Sequence, residues 1–221
     1  MKYLTITEPC EYKFDIMRSD FVVRLCHVEN VAEVKSKVAE IEANNPCSAS
    51  NCFAYILSEK TVQQGPEDAV LDTTMVCCDD KEEEGTAGEP MLAMLTKARL
   101  FEVLAVVSRY FGTVRISGAG LSQAYARAVA EAVSRAVTDG KIGARVLCRT
   151  CEFTLEYAEY KNFTAPSTLK YKVLDVDYGE KVSIKVAVPV EHLEVFSTII
   201  RAITSGRVMI LIGKPEFIVY Q

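Results

Sequence analysis

A helix built to lie close against a sheet constrains this chain more than any other feature. Between residues 121 and 137, Leu121, Tyr125, Ala128, Val129, Ala132, Val133, Ala136 and Val137 recur at helical intervals. Gln123, Arg127, Glu131 and Arg135 fall on the opposite side. The alanines at 128, 132 and 136 leave room for close approach to a packed layer. Gly140, in "TDGKIG", suits the left-handed position that ends a helix. Just upstream, "EVLAVVS" (102–108) is a short unbroken apolar run, as expected of a strand covered on both faces. Between the two lies "SRYFGTVRISGAGLSQAY" (108–125), a glycine-bearing turn with an arginine and two aromatics.

The rest of the chain reads as α+β. "YLTIT" and "DFVVRL" are strand-like. "VENVAEVKSKVAEIEANNP" spaces Val31, Val34, Val38 and Ile41 as a helix, stopped at Asn45-Pro46. "NCFAYIL" is a strand, "CCDDKEEEGTAGEP" a polar loop, and Pro90 is placed as the first residue of the helix "PMLAMLTKA". Beyond Gly140 the order is strand, helix, strand, strand, helix, strand. In that part Val182, Ile184, Val186 and Val188 alternate with polar residues, and Leu193, Phe196, Ile200 and Ile203 share a helix face. The order is that of a ferredoxin-like βαββαβ domain. Two domains are expected, 1–140 and 141–221, each keeping its strands in its own sheet.

Composition narrows the class. With 49% hydrophobic residues the 221-residue chain can build a sizeable core. A net charge of -5 argues against a protein that coats polyanions, while leaving a local basic site open. No apolar run approaches the roughly 20 residues of a membrane span. The start, "MKYLTITEPCEYKF", lacks the apolar core of a signal peptide, so the cytoplasm is the expected location and the eight cysteines are expected as reduced, largely buried thiols.

Candidate chemistry is sparse. Backbone amides at the start of the helix after "SGAG" could hold an anion, but neither a P-loop nor a dinucleotide spacing is present, so a plain tight turn carries more weight. "CRTC" (Cys148, Cys151) has zinc-like spacing without a second pair, and an odd offset on one strand sends the two side chains to opposite faces. His27 and His192 lie near no nucleophile motif. The acidic run Asp79, Asp80, Glu82, Glu83, Glu84 lacks the spacing of a calcium loop and reads as a solvated loop. No metal or cofactor is expected.

Three segments together resemble the YigZ/IMPACT family: "SASNCFAYIL", "CDDKEEEGTAGEPML" and "VVSRYFGTVRISGAGLSQAYARAVAEA". The resemblance covers roughly residues 15 to 138. The "DVDYGEKV" hairpin is similar to the small domain appended in the bacterial members. It implies an N-terminal left-handed βαβ fold like domain IV of elongation factor G and a C-terminal half like its domain V. It also implies a translation-associated role, with RNA, the ribosome or a translation-control protein as partner, and no enzymatic reaction. On this reading a cleft is lined or shaped by Asn51, Gly85, Thr86, Gly88, Arg109, Tyr110, Phe111, Gly112, Arg115, Gly118, Gly120 and Tyr125, with a small anion as a further candidate occupant.

Departures from the family pattern all lower its positive character. Asp20 stands where the family has arginine, Ser50 where it has histidine, and Glu84 where it has serine. Glu89 replaces a basic or polar residue, and Gln123 an arginine. Each change weakens a phosphate site. Two alternatives therefore stand beside the first reading: a protein-interaction module that has lost nucleic-acid binding, and an enzyme acting on a small phosphorylated or acidic ligand.

Overall fold

The computed structural model describes residues 2–62, 69–112, 116–165 and 169–220. It divides into two compact units, Tyr3–Ala144 and the chain from Arg145 onward together with Lys2. Among the described residues no helix is long and apolar enough to cross a membrane.

After strand β1 (Lys2–Ile6), the first unit contains β2 (Cys10–Ile16), β3 (Ser19–His27), helix α1 (Val31–Asn44), β4 (Ser50–Val62) and β5 (Ala69–Cys78). Helix α2 (Gly88–Lys97), β6 (Val103–Tyr110) and α3 (Gly118–Thr138) complete it. The sheet runs β2-β3-β6-β4-β5, and every neighbouring pair is antiparallel. Because β3 and β4 both border β6, they run parallel to each other, and the β3–α1–β4 connection crosses β6.

Strand β6 is buried along seven of its eight residues because both faces of the sheet are covered. Val103, Ala105 and Val107 join Phe21, Leu25 and Ile56 in the core beneath α2 and α3. Leu104 and Val106 pack on the other face with Val34, Val38 and Ile41 of α1. The alanine face of α3 does what its spacing predicts: Ala124, Ala128, Ala132 and Ala136 are all buried. Val137 is the exception at 61% exposed, since the 3.6-residue period carries the stripe past it by the last turn. Helix α2 begins at Gly88, so Pro90 is its third residue rather than its first. The proline still falls among the first four N–H positions, which have no partner within the helix. Strands β2 and β5 had no counterpart in the sequence reading.

The second unit follows the expected order: β7 (Ile142–Leu155), α4 (Tyr157–Phe163), β8 (Lys172–Tyr178), β9 (Val182–Pro189), a 3-10 turn (Val190–His192), α5 (Leu193–Ile203) and β10 (Leu211–Tyr220). Its sheet has the order β1-β7-β9-β8, with β10 also pairing β7. The core is aromatic, with Phe153 edge-on to Phe163 and Phe196 at centroid distances of 5.6 and 5.9 Å. Two expectations are corrected here. Strand β1, from the start of the chain, stands in this sheet. The division falls inside β7 rather than at Gly140, because β7 starts almost as soon as the Gly140 turn (φ 68°) releases the chain.

Candidate functional site

The acid-rich loop between β5 and α2 is organised by its own carboxylates. Asp79 accepts hydrogen bonds from the backbone N–H of Gly85 (3.0 Å), Ala87 (2.8 Å) and Gly88 (2.8 Å). Gly85, at φ 76°, lets the loop fold back far enough to aim its amides inward. Burial pushes the Asp79 carboxyl up, but the three amides outweigh it and hold it below the usual range. The N-cap residue of α2 is Ala87, which has no capping side chain, and Asp79 supplies the missing acceptor from outside the helix. Asp80 accepts from the Asn51 N–H at 2.8 Å and ties the same loop to β4.

Glu82 sits at the centre of a second cluster. Its Oε1 accepts from Arg109 Nη1 at 2.9 Å, from Ser50 Oγ at 2.7 Å and from Tyr125 Oη at 2.9 Å. The Arg109 and Glu82 side chains are 6% and 9% exposed, so the pair is withdrawn from water. The Arg109 guanidinium lies 5.8 Å from the Phe21 ring and 5.0 Å from the Phe111 ring. Burial holds the Tyr125 hydroxyl far above its ordinary range, and burial pushes the Cys52 thiol up to about 12. Both groups stay protonated, which matches Tyr125 donating to Glu82.

Next to this cluster α3 begins. Ser117 caps it, its Oγ accepting from Gly120 N–H at 3.4 Å. A Cβ placed on Gly118 would stand 3.2 Å from the Glu83 carboxylate and 3.9 Å from the Thr86 methyl, so the two glycine-bearing segments adjoin. Lys81, Glu83, Phe111, Gly112, Ser117 and Gly118 wall an open cavity of about 610 Å³ there, with Arg109 and Glu82 at its base. Phe111 is 74% exposed and forms its aromatic rim.

The expected cleft residues separate into groups. Phe111, Gly112, Gly118 and Arg109 line the cavity, and Tyr125 lies buried beneath it. Gly85 and Gly88 shape the adjoining loop. Gly88 abuts β5, where an added Cβ would meet Cys77 Cβ and Cys78 N at 2.9 Å. Gly120 packs inside the first turn of α3 against Ile116. Two expectations are corrected. Tyr110 turns to the α1 side, donating to Asn45 Oδ1 at 2.7 Å. Asn51 follows Ser50 on β4 and by strand alternation also faces away from Arg109; its Oδ1 is buried without a partner among the described residues. Arg115 lies outside the described residues.

Sequence reasoning gave no site role to Ser50 or Glu82, and it offered Asp79 or Asp80 as a carboxylate partner for Arg109, where the structure has Glu82. The reading of the whole acidic run as solvated is corrected for Asp79 and Glu82, while Glu83 and Glu84 are exposed as expected. A signal was available: Arg109 ends a buried apolar strand and Tyr125 sits in an apolar face, and each needs an acceptor. Of the positions where the chain departs from the family pattern, Asp20 pairs with Lys13 at 2.7 Å and Ser50 joins the Glu82 cluster. In "CRTC", Cys148 and Cys151 are both buried within β7, their thiols pushed up by burial to about 11.

A twin-faced antiparallel sheet with a carboxylate-filled glycine loop beside a buried arginine defines an α+β protein of recognisable type. The chain belongs to the IMPACT family: the family model described as "Impact N-terminal domain" matches residues 17–133, just over half of the chain. A second, described as "Domain of unknown function (DUF1949)", matches residues 167–207. "IMPACT family member YvyE" of Bacillus subtilis (strain 168) is 28% identical, covering 98% of this chain and 93% of that protein. "IMPACT family member YigZ" of Escherichia coli (strain K12) is 29% identical, covering 89% and 91%. A solved structure described as that of a hypothetical protein is 26% identical, with a TM-score of 0.55 over 95% of this chain and 96% of its own.

Proposed function

We propose that this protein is a non-enzymatic, translation-associated regulator that works by docking a protein segment in the cavity under Phe111. Family membership supports the translation-associated part. The observation that carries the choice of partner is the Arg109–Glu82 pair. Arg109, which borders the cavity, is already paired with Glu82, and the amides of Gly85, Ala87 and Gly88 are filled by Asp79. A phosphate would have to displace carboxylates that are anchored by several hydrogen bonds each. Among the described residues, what remains at the surface is an exposed aromatic ring amid mixed charges (Lys81, Glu83), the composition of a protein-binding patch.

On the same reading the first unit is a left-handed βαβ fold similar to domain IV of elongation factor G. The second, with βαββαβ order and strand neighbours β10-β7-β9-β8, is a ferredoxin-like domain similar to domain V.

The test is a pair of titrations at two salt concentrations, one with single-stranded RNA and one by co-sedimentation with ribosomes and translation factors. The expected result is weak RNA binding at either salt, together with co-sedimentation that survives the higher salt and drops with Phe111→Ala. Phe111 is exposed, so this variant should keep the fold. Tight, salt-steep RNA binding lost in Arg109→Ala would replace this reading with a nucleic-acid one.

A further inference from the structure

Helices α4 and α5 cover one face of the second unit's sheet, where Phe153, Ile184 and Val186 pack with Phe163, Phe196 and Ile200. Strand alternation sends the residues between them to the other face. Glu152 and Thr154 of β7 stand there with Ser183 and Lys185 of β9, and all four are exposed or half-buried. On β8, Asp175 is in register with Lys185 and Asp177 with Ser183, so both aspartates join this open face. Together these side chains line a hollow of about 640 Å³. Met209 and Leu211, 80% and 64% exposed, form its apolar margin.

The charges of the hollow do not balance. Lys181 pairs with Glu156 and Lys185 with Glu152, both at 2.8 Å, and Arg207 pairs with Glu159. Each cation lining the hollow is thereby matched with a carboxylate. Asp175 and Asp177 are left over. Among the described residues neither has an ion pair within 4 Å, and Asp175 accepts only the neighbouring Val176 N–H, at 3.0 Å. Lys185 registers the surplus: Glu152 holds its ammonium above the ordinary range, and Glu216 and Asp175 add to the effect.

This pattern selects its occupant. A net-acidic face repels a phosphate backbone and attracts a basic ligand. Asp175 and Asp177 are two positions apart on one strand, about 7 Å, which is also the repeat of alternate side chains in an extended chain. A small cation would leave Met209 and Leu211 in water, whereas a protein segment can cover them. Strand β8 ends its sheet, but its pairing slips between Val173 and Asp175, an irregularity that disfavours addition of a strand along that edge. The face, not the edge, is the surface on offer.

We propose that this open face docks an extended basic protein segment, with lysine or arginine at alternate positions against Asp175 and Asp177 and an apolar residue further along over Leu211 and Met209. The surface is separate in its residues from the cavity under Phe111 and does not depend on it.

The full chain is titrated by fluorescence anisotropy against a labelled peptide, Lys-Thr-Lys-Ser-Gly-Ser-Leu, at two salt concentrations. A copy with glutamate in place of both lysines is the counter-probe. The expected result is saturable binding of the lysine peptide, weaker at the higher salt, and none of the glutamate peptide. Asp175→Asn combined with Asp177→Asn should weaken binding about tenfold, and Leu211→Ser about threefold. All three positions are exposed, and thermal unfolding checks that these variants keep the fold. Glu40→Gln combined with Glu42→Gln, the same change in charge at exposed positions of α1, should leave binding unaltered. The proposal fails if the wild type does not bind the lysine peptide, or if the α1 variant loses as much as the aspartate variant. It fails equally if spermine binds as tightly as the peptide and ignores Leu211→Ser, which would make the face a small-cation site, or if single-stranded RNA displaces the peptide from it.

Discussion

Arg109 Nη1 donates to both carboxylate oxygens of Glu82, at 2.9 and 3.0 Å, and both side chains are more than nine-tenths buried. A buried pair of this kind is fragile to single substitution, because removing one partner strands the other charge away from water. Arg109→Ala or Glu82→Ala should each lower stability by about 3–5 kcal/mol. Arg109→Met with Glu82→Leu should cost clearly less than the sum of the two single changes. Urea denaturation followed by circular dichroism checks this, and singles costing under about 1 kcal/mol would mean the pair is hydrated in solution.

Asp79 makes the loop acid-sensitive. Its carboxyl is held below the usual range, so it stabilises the fold fully above the unfolded value of about 3.9. That contribution is lost as pH falls through the lower, folded value. Asp79→Asn should cost about 1–3 kcal/mol at pH 7. The difference from wild type should shrink only once the pH drops below about 4. A difference that stays flat down to pH 2 would show that the three amides do not depend on the charge.

Much of this architecture was legible because it is periodic. The alanine stripe of α3 and the double-faced β6 each follow from local spacing, and so does the strand-helix order after Gly140. The candidate site was harder to read, because its key contacts join residues 27 and 43 positions apart, Glu82 to Arg109 and Glu82 to Tyr125. An acidic run that folds inward has the same composition as one that stays in water. One error was avoidable. Arg109 and Tyr110 are consecutive on a strand, so alternation alone forbids both from facing one cleft. The place of β1 beside β7 could not be read from either segment, since pairing register is set by distant partners.

The thiols should divide sharply in reactivity. Burial lifts Cys148 and Cys151 to about 11 and Cys52 to about 12, which leaves little thiolate near pH 8, whereas Cys47 is exposed. Iodoacetamide at pH 8, read by peptide mass spectrometry, should label Cys47 first. The three buried cysteines should react only on a timescale set by unfolding. Rapid labelling of Cys52 in the folded protein would show that the Tyr125–Glu82 cluster opens readily.

Three glycines should respond to alanine in three different ways. At Gly112 a Cβ would fall 1.3 Å from the Arg18 carbonyl oxygen, a backbone atom in the tight turn between β2 and β3. That turn is already held at φ 53° and 61° by Met17 and Arg18, so it has little freedom to yield. Gly112→Ala should therefore cost about 3 kcal/mol or more, and it should move Phe111 away from Arg109 as the chain shifts. At Gly140 no atom lies within 4 Å, and only the left-handed backbone (φ 68°) resists substitution, at about 1–2 kcal/mol. At Gly118 the nearest atom is the mobile tip of Glu83, 3.2 Å away, and alanine is the better helix former, so the change should be near neutral. Thermal unfolding should show a drop of roughly 6–12 °C for Gly112→Ala, a few degrees for Gly140→Ala and almost none for Gly118→Ala. A Gly112→Ala protein as stable as the wild type would mean that the chain after β6 does not press against the Arg18 turn, and the wall of the cavity would have to be redrawn.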